Sequence, residues 1–282
     1  MKYKLFALDI DGTVKIHGQP VNQKLVSTIK TLEKQGIINT IITGRLPTKI
    51  INIANFLNLP DKRFMAGADG GVIFKSISPD KYEVVETRIV QLQHFARLLF
   101  DNKVPGLALT PHRILVVGDI DSKMQHLADL TVLKINQVKS WTEAEKLLDK
   151  VGEPLIGLRF LIDKGRAKPL LSPLKQAASH NHLFEVFDND EFSSSHLGIA
   201  LKPENCHKGT ALKTICKLYG ISPELTVSFG DWVTDIAMFK ESGFSIAPHD
   251  SLEFVRNNAH RVSELGIADN WLYEEIKMLL AE

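Results

Sequence analysis

The feature that most constrains the fold is an alternation of strand and helix patterns in the N-terminal part of the chain. Leu5 to Ile10 is a short apolar run that is typical of a buried strand. A helical pattern over Leu25 to Leu32 follows, then a β-branched run from Ile37 to Ile42, then a second helical pattern that begins near Pro47. Because consecutive strands joined by helices pair in parallel, these patterns predict a parallel sheet with right-handed crossovers.

The C-terminal part of the chain resumes this alternation after a middle region with a different sequence pattern. In the middle region, strand-like runs alternate with helical stretches, and Pro169 and Pro173 interrupt the pattern. We therefore expect an α/β protein with a Rossmann-like parallel-sheet core at residues 1–85 and 200–282 and an inserted α/β cap domain at residues 86–199.

The composition excludes several classes of protein. The 282 residues include 34 Lys and Arg against 33 Asp and Glu, a formal net charge of +1, which argues against a generally basic nucleic-acid binder or a polybasic membrane protein. The two cysteines, Cys206 and Cys216, form no CxxC pair, so a disulfide scaffold and a cysteine-rich zinc module are excluded. Without an export signal or a long apolar segment, we expect a cytoplasmic protein with no nucleic-acid or membrane partner.

Two of the predicted strands run directly into acidic residues. Asp9 and Asp11 follow the first strand, where Gly12 permits a sharp turn, and Asp231 follows a later strand with Asp235 one turn into the next helix. Extended backbone points Asp9 and Asp11 the same way, and two close carboxylates repel unless a cation or a proton lies between them. Taken singly, each acid also fits an ordinary turn or a helix N-terminus.

Groups that suit phosphate oxygens follow a second strand and begin a helix. Thr43 offers a hydroxyl, Gly44 a backbone that a ligand can approach closely, and Arg45 a guanidinium group with several N–H donors. Lys208 places a positive charge at a helix N-terminus, although a solvated lysine is the ordinary alternative. Sites form at the carboxyl ends of parallel strands, so these groups and the acids are predicted to meet. Oxygen ligands select Mg²⁺, and Mg²⁺ with a lysine and a hydroxyl suits a phosphoryl group.

In combination, these segments resemble the motifs of the haloacid dehalogenase (HAD) superfamily of phosphohydrolases, specifically the Cof-type branch with a large α/β cap. The motifs stand in the family's order along essentially the whole chain: DIDGT at 9–13, TGR at 43–45, Lys208 in HKGTAL, and GDWVTD at 230–235. The resemblance implies a Mg²⁺-dependent phosphatase that acts on a small phosphorylated metabolite, such as a sugar phosphate or a phosphorylated cofactor. It leaves the oligomeric state open.

The resemblance also implies a role for each matching residue. Asp9 would be the nucleophile that forms an aspartyl-phosphate, Asp11 the general acid and base, and Lys208 the cation that neutralises the transferring group. Mg²⁺ would be held by Asp9, Asp231 and the backbone carbonyl of Asp11. Phosphate oxygens would be bound at Ile10, Thr43, Gly44, Lys208 and Thr234, with supporting roles for Gly12, Arg45 and Asp235.

Three departures from the family's pattern lie around the expected phosphate site. Thr234 stands where the family usually has asparagine, Asp69-Gly70 replaces Asn-Gly, and Pro248-His249-Asp250 replaces Gly-Asn-Ala. Asp69 adds a negative charge that disfavours highly anionic substrates. Two alternatives therefore stay open: a sugar phosphomutase or phosphotransferase, and a catalytically weak regulatory protein that binds a phosphorylated ligand.

Overall fold

A computed structural model describes residues 2–16, 19–90, 104–120, 122, 135–178, 182–187 and 196–281 of the chain. Its strands are β1 Leu5–Leu8, β2 Ile38–Ile41, β3 Phe64–Gly67, β4 Val72–Ser78, β5 Lys81–Thr87, β6 Gly106–Leu109, β7 Ile114–Val117, β8 Ile135–Val138, β9 Gly157–Asp163, β10 His182–Phe187, β11 His196–Pro203, β12 Thr226–Phe229, β13 Phe244–Ala247 and β14 Arg261–Val262.

The α-helices are α1 Gln23–Lys34, α2 Pro47–Phe56, α3 Trp141–Val151, α4 Lys164–Ala178, α5 Lys208–Tyr219, α6 Ile236–Phe239, α7 Glu253–Arg256 and α8 Trp271–Ala281. Short 3₁₀ helices lie at Ala68–Gly70, Pro223–Leu225, Val233–Asp235 and Ile267–Asp269. Among the described residues, no helix is long and apolar enough to cross a bilayer.

The chain divides into two compact units. The first contains residues 1–44, 50–85 and 207–282, and the second contains residues 45–49 and 86–206. The predicted second core segment begins at residue 200, which lies inside β11, and β11 pairs with β9 and β10 in the sheet of the second unit. The domain boundaries expected from the sequence stay a prediction.

The first unit is built on a five-stranded sheet in the order β14-β13-β12-β1-β2, and its neighbouring strands are all parallel. The central strand β1 is buried at every position because helices cover both faces. Phe6 and Leu8 pack with residues of α1 and α8, whereas Leu5 and Ala7 pack with residues of α5. This arrangement confirms the predicted α/β core with a parallel sheet. A separate three-stranded sheet has the order β3-β4-β5.

The second unit has a mixed sheet in the order β10-β11-β9-β6-β7-β8, which is antiparallel except for the parallel pair β7 and β8. The expected interruption at Pro169 and Pro173 is wrong, because α4 continues through both prolines. Leu170 and Leu174 of this helix are buried in the core of the unit. Their burial stabilises the helix enough to offset the loss of the backbone hydrogen bonds that proline cannot make.

Candidate active site

The register of the parallel sheet places the predicted acids and the threonine at one edge. Pairing continues past the end of β1, because the Asp9 amide donates to the Phe229 carbonyl at 3.1 Å and the Ile42 amide donates to the Leu8 carbonyl at 3.0 Å. Neighbouring strands lie about 4.8 Å apart. The residues that follow β1, β2 and β12 are therefore adjacent in space although they are far apart in the sequence.

A buried lysine joins two of the acids. The Lys208 Nζ atom lies 2.8 Å from Asp9 Oδ1 and 2.6 Å from Asp235 Oδ1, and all three side chains are buried. Lys208 is the first residue of α5, whose N-terminus is capped by His207: the Thr210 amide donates to His207 Nδ1 at 3.2 Å. The cap fixes where the helix starts, and this fixes where the ammonium group enters the site.

Asp235 accepts hydrogen bonds from the lysine and from its own loop. Asp9 and Asp231 are therefore the two acids whose carboxylates suit a bound cation. Oxygen atoms of Asp9, Asp231 and Asp235 lie within 4.8 Å of one another. Asp235 Oδ1 accepts from Lys208, while Asp235 Oδ2 accepts from the Asp231 and Trp232 amides at 3.1 and 3.0 Å. Because both of its oxygens already accept hydrogen bonds, we assign Asp235 to positioning.

The turn after β1 is shaped to fit the Asp231 carboxylate. Gly12 has φ +80°, and a Cβ atom on it would lie 2.1 Å from Asp231 Oδ2, so the turn requires glycine on both grounds. The Thr13 hydroxyl donates to Asp231 Oδ1 at 2.7 Å. The indole N–H of Trp271 in α8 donates to the Gly12 carbonyl at 3.1 Å. Asp231 is therefore oriented by residues from both ends of the chain.

The electrostatics of the two acids favour a bound cation. Burial raises the pKa of Asp9 to about 7 against the opposing charge of Lys208, and the charges of Asp235 and Asp11 add to the increase. Burial and then the charges of Asp9 and Asp235 raise the pKa of Asp231 to about 8. Two buried carboxylates that resist ionisation together, and that offer only oxygen ligands, fit a hard dication such as Mg²⁺.

The remaining predicted residues differ in exposure. Ile10 and Thr43 are buried, and Gly44 and Thr234 are half-buried. The Asp11 residue is exposed, but it is close enough to Asp9 for its charge to affect that pKa. Arg45 groups with the second unit. Phosphate binding and proton transfer by these residues stay predictions.

The structure places three further residues here, two of which had no role in the sequence analysis. Thr13 belongs to the DIDGT motif, and its hydroxyl next to the acids is the sequence feature that could have indicated a role in the site. Trp271 lies at the far end of the chain, and no local pattern marks its contact with Gly12. Asp69 was noted for a negative charge that disfavours highly anionic substrates, and the structure buries it beside Thr43 and Gly44, with its amide donating to the Thr43 carbonyl at 3.0 Å.

Comparison with known proteins agrees with this geometry. Named relatives include a phosphoglycolate phosphatase of Methanosarcina acetivorans, 29% identical over 95% of this chain and 93% of that protein. Another is a 5-amino-6-(5-phospho-D-ribitylamino)uracil phosphatase of Bacillus subtilis, 23% identical over 94% of this chain and 92% of that protein. A haloacid dehalogenase-like hydrolase from Bacteroides thetaiotaomicron has the same fold, with a TM-score of 0.80 at 22% identity over 98% of this chain and 99% of that one.

The family match covers both units of the chain. The family model described as haloacid dehalogenase-like hydrolase matches residues 6–266, a span that includes every residue of the predicted site. The order of the motifs, the parallel sheet that brings them together and the paired buried acids all agree with this match. The chain belongs to the haloacid dehalogenase-like hydrolase family.

Proposed function

We propose that this chain is a Mg²⁺-dependent phosphatase that hydrolyses the monoester of a small phosphorylated metabolite through an aspartyl-phosphate on Asp9. The observation that carries the proposal is the buried group formed by Asp9, Lys208 and Asp231 at the carboxyl edge of the parallel sheet. The family match and the phosphatase relatives support the same reaction class.

The Asp9 and Asp231 carboxylates, with the backbone carbonyl of Asp11, would hold Mg²⁺. Burial and the charges of neighbouring acids raise the pKa values of both carboxylates although Lys208 lies close to them, so a dication that favours their ionised forms suits this pair. When bound, Mg²⁺ supplies positive charge that offsets repulsion between the anionic nucleophile and the phosphate. Thr13 and Gly12 support this arrangement by fixing the Asp231 carboxylate.

The reaction consists of two displacements at phosphorus. An Asp9 oxygen forms a bond to phosphorus as the ester P–O bond breaks, and the Asp11 carboxyl gives its proton to the departing alcohol oxygen. A water oxygen then attacks phosphorus, its proton passes to Asp11, and the bond to Asp9 breaks. The products are the alcohol and inorganic phosphate. The Lys208 ammonium neutralises charge in both steps while Thr43, Gly44 and Thr234 bind phosphate oxygens.

The proposed substrate class is a small phosphorylated metabolite. The names of the relatives include phosphoglycolate and a phosphorylated ribitylaminouracil, and another protein of the same fold is named a sugar phosphatase. These compounds are small phosphate monoesters with differing alcohol parts. The cytoplasmic location expected from the sequence stays a prediction.

Turnover of p-nitrophenyl phosphate with Mg²⁺ tests the proposal, followed by a panel of phosphorylated metabolites. We expect Asp9→Asn to lower kcat by at least about a thousandfold, because the amide is not a nucleophile. The matched control is Asp80→Asn, an exposed aspartate in the turn before β5, which is expected to retain wild-type turnover.

Two results would contradict the proposal. Wild type and Asp9→Asn that are equally inert yet bind phosphate would indicate a binding protein without catalysis. Transfer of the phosphoryl group to a sugar phosphate instead of water, seen in time-resolved product analysis, would indicate a mutase or a phosphotransferase.

A further inference from the structure

A half-buried lysine, Lys15, lies in the turn that follows β1 and has no part in the two displacements. Its backbone is bound to this turn at two points. The Lys15 amide donates to the Ile10 carbonyl at 2.8 Å, and the Gly12 amide donates to the Lys15 carbonyl at 3.0 Å. Lys15 also forms an isolated parallel bridge with Asp11. These contacts fix the lysine beside the residue that is proposed to be the general acid and base.

The position of Lys15 relates it to the leaving group of the proposed reaction. Bridged backbone segments lie about 4.8 Å apart, and the flexible four-carbon stem of lysine can span that separation. Asp11 is exposed and is proposed to give its proton to the departing alcohol oxygen, whereas Asp9 is buried. The alcohol portion of the substrate is therefore expected on the open side of the site, within reach of the Lys15 ammonium group.

The ammonium group of Lys15 suits an anionic ligand. Within the part of the chain that the structure describes, no acid forms an ion pair with Lys15 and no group accepts a hydrogen bond from its side chain. The described lysines on either side of it along the chain, Lys4 and Lys24, are exposed. Partial burial deprives a charged group of hydration, and an anion that binds beside it offsets this cost.

We propose that Lys15 is a specificity-determining residue that binds a carboxylate on the alcohol portion of the substrate, so that phosphorylated hydroxy acids are preferred. This inference rests on the proposed function, because it concerns the leaving group of that reaction. An ammonium group has three N–H donors and no acceptor, and a carboxylate accepts from them in a charge-assisted hydrogen bond. Asp69 is expected to act on the phosphate instead, since it lies beside Thr43 and Gly44.

Two phosphate esters of similar size separate this role from a general attraction to phosphate. Phosphoglycolate has a carboxylate where 2-hydroxyethyl phosphate has a neutral hydroxymethyl group. We expect Lys15→Met to lower kcat/KM for phosphoglycolate at least about tenfold and to change kcat/KM for 2-hydroxyethyl phosphate by less than about twofold. Lys15→Arg retains the positive charge and should keep the preference for phosphoglycolate.

Lys4→Met is the matched control for the loss of a lysine. Lys4 is exposed and directly precedes β1, whereas Lys15 follows that strand. The control should hydrolyse both esters with the kcat/KM of wild type. Equal changes for the two esters in Lys15→Met, or no change for either, would overturn the proposal.

Binding measured in the Asp9→Asn background keeps the test independent of turnover. Calorimetric titration of phosphoglycolate with Mg²⁺ present compares Asp9→Asn with the double variant that also has Lys15→Met, and we expect the double variant to bind at least about tenfold more weakly. A wild-type chain that hydrolyses neither ester defeats the proposed function, whereas this comparison still decides the role of Lys15. Equal affinities of the two variants, or no binding by either, would overturn the inference.

Discussion

Gly12 links backbone conformation directly to the proposed metal site. Replacing it with alanine would strain a residue at φ +80° and would place a methyl group 2.1 Å from Asp231 Oδ2. We expect Gly12→Ala to lower kcat/KM by at least about a hundredfold and the free energy of unfolding by about 1–3 kcal/mol, measured by steady-state kinetics and urea unfolding.

Gly36 provides a matched control for this substitution. It has φ +79°, nearly the same as Gly12, but a Cβ atom there would meet nothing within 4 Å. Gly36→Ala should therefore cost about 1 kcal/mol of stability from backbone strain and leave activity unchanged. Equal losses of activity in the two variants would contradict the contact between Gly12 and Asp231.

Thr13 orients Asp231 through one hydroxyl. Thr13→Val keeps the shape of the side chain but removes the donor to Asp231 Oδ1, and the hydrogen bond that opposes the raised pKa of Asp231 is lost. We expect the Mg²⁺ concentration for half-maximal activity to rise about tenfold, and Thr13→Ser to restore most of the affinity. A Thr13→Val variant with unchanged Mg²⁺ dependence would show that the hydroxyl does not position this acid.

At the scale of elements, the helix α8 supports the turn after β1. The Trp271 indole donates to the Gly12 carbonyl, and its ring packs against Phe229 with centroids 6.3 Å apart. Trp271→Phe retains much of the packing and loses the N–H. We expect kcat to fall about threefold to tenfold with little change in KM, because the turn, and not substrate contact, is affected.

Tyr273→Phe is the control on the same helix, since it also removes one polar group. The described hydrogen bonds show no contact between Tyr273 and Gly12, and the variant should retain wild-type kcat. If Trp271→Phe and Tyr273→Phe have equal kcat values, the bond from α8 to the turn does not position the site.

Elements with a strong local pattern were predicted well, and elements that depend on tertiary contacts were not. β1 lies within the apolar run predicted as a strand, and α1 contains the helical pattern over Leu25 to Leu32, because the residues of a buried face recur with the period of the element. Neither α4, with its two prolines, nor the contact of α8 with the turn follows from local sequence, since packing between distant segments produces both.

For the whole molecule, the raised pKa values of Asp9 and Asp231 predict how stability depends on pH. Without Mg²⁺, the folded chain retains protons on these acids that the unfolded chain releases above about pH 4. Their contribution to stability is therefore fully present below pH 4 and decreases as the pH rises toward 8. Because Mg²⁺ competes with these protons, we expect it to raise Tm more at pH 8 than at pH 5.5.

Scanning calorimetry at the two pH values, with and without Mg²⁺, measures this effect. In Asp231→Asn the dependence of the Mg²⁺-induced Tm shift on pH should be largely lost. A Tm shift of the same size at both pH values in wild type would contradict proton competition at these acids.

The architecture of the whole molecule was predictable because strand and helix patterns alternate along the chain, and because sites form where parallel strands end. This reasoning correctly predicted the parallel-sheet core and the proximity of Asp9, Lys208 and Asp231. It did not predict that Asp69 is buried against Gly44, because that contact depends on a left-handed turn whose conformation is set by tertiary packing.

The account depends most on the claim that Asp9 accepts a phosphoryl group beside a dication that it shares with Asp231. A crystal structure with Mg²⁺ and beryllium fluoride, a mimic of the phosphoryl group, measures this directly. We predict Mg²⁺ between the Asp9 and Asp231 carboxylates and beryllium fluoride bonded to an Asp9 oxygen, with Lys208 in contact. Two acids that lie far apart, with neither ion bound, would contradict the claim.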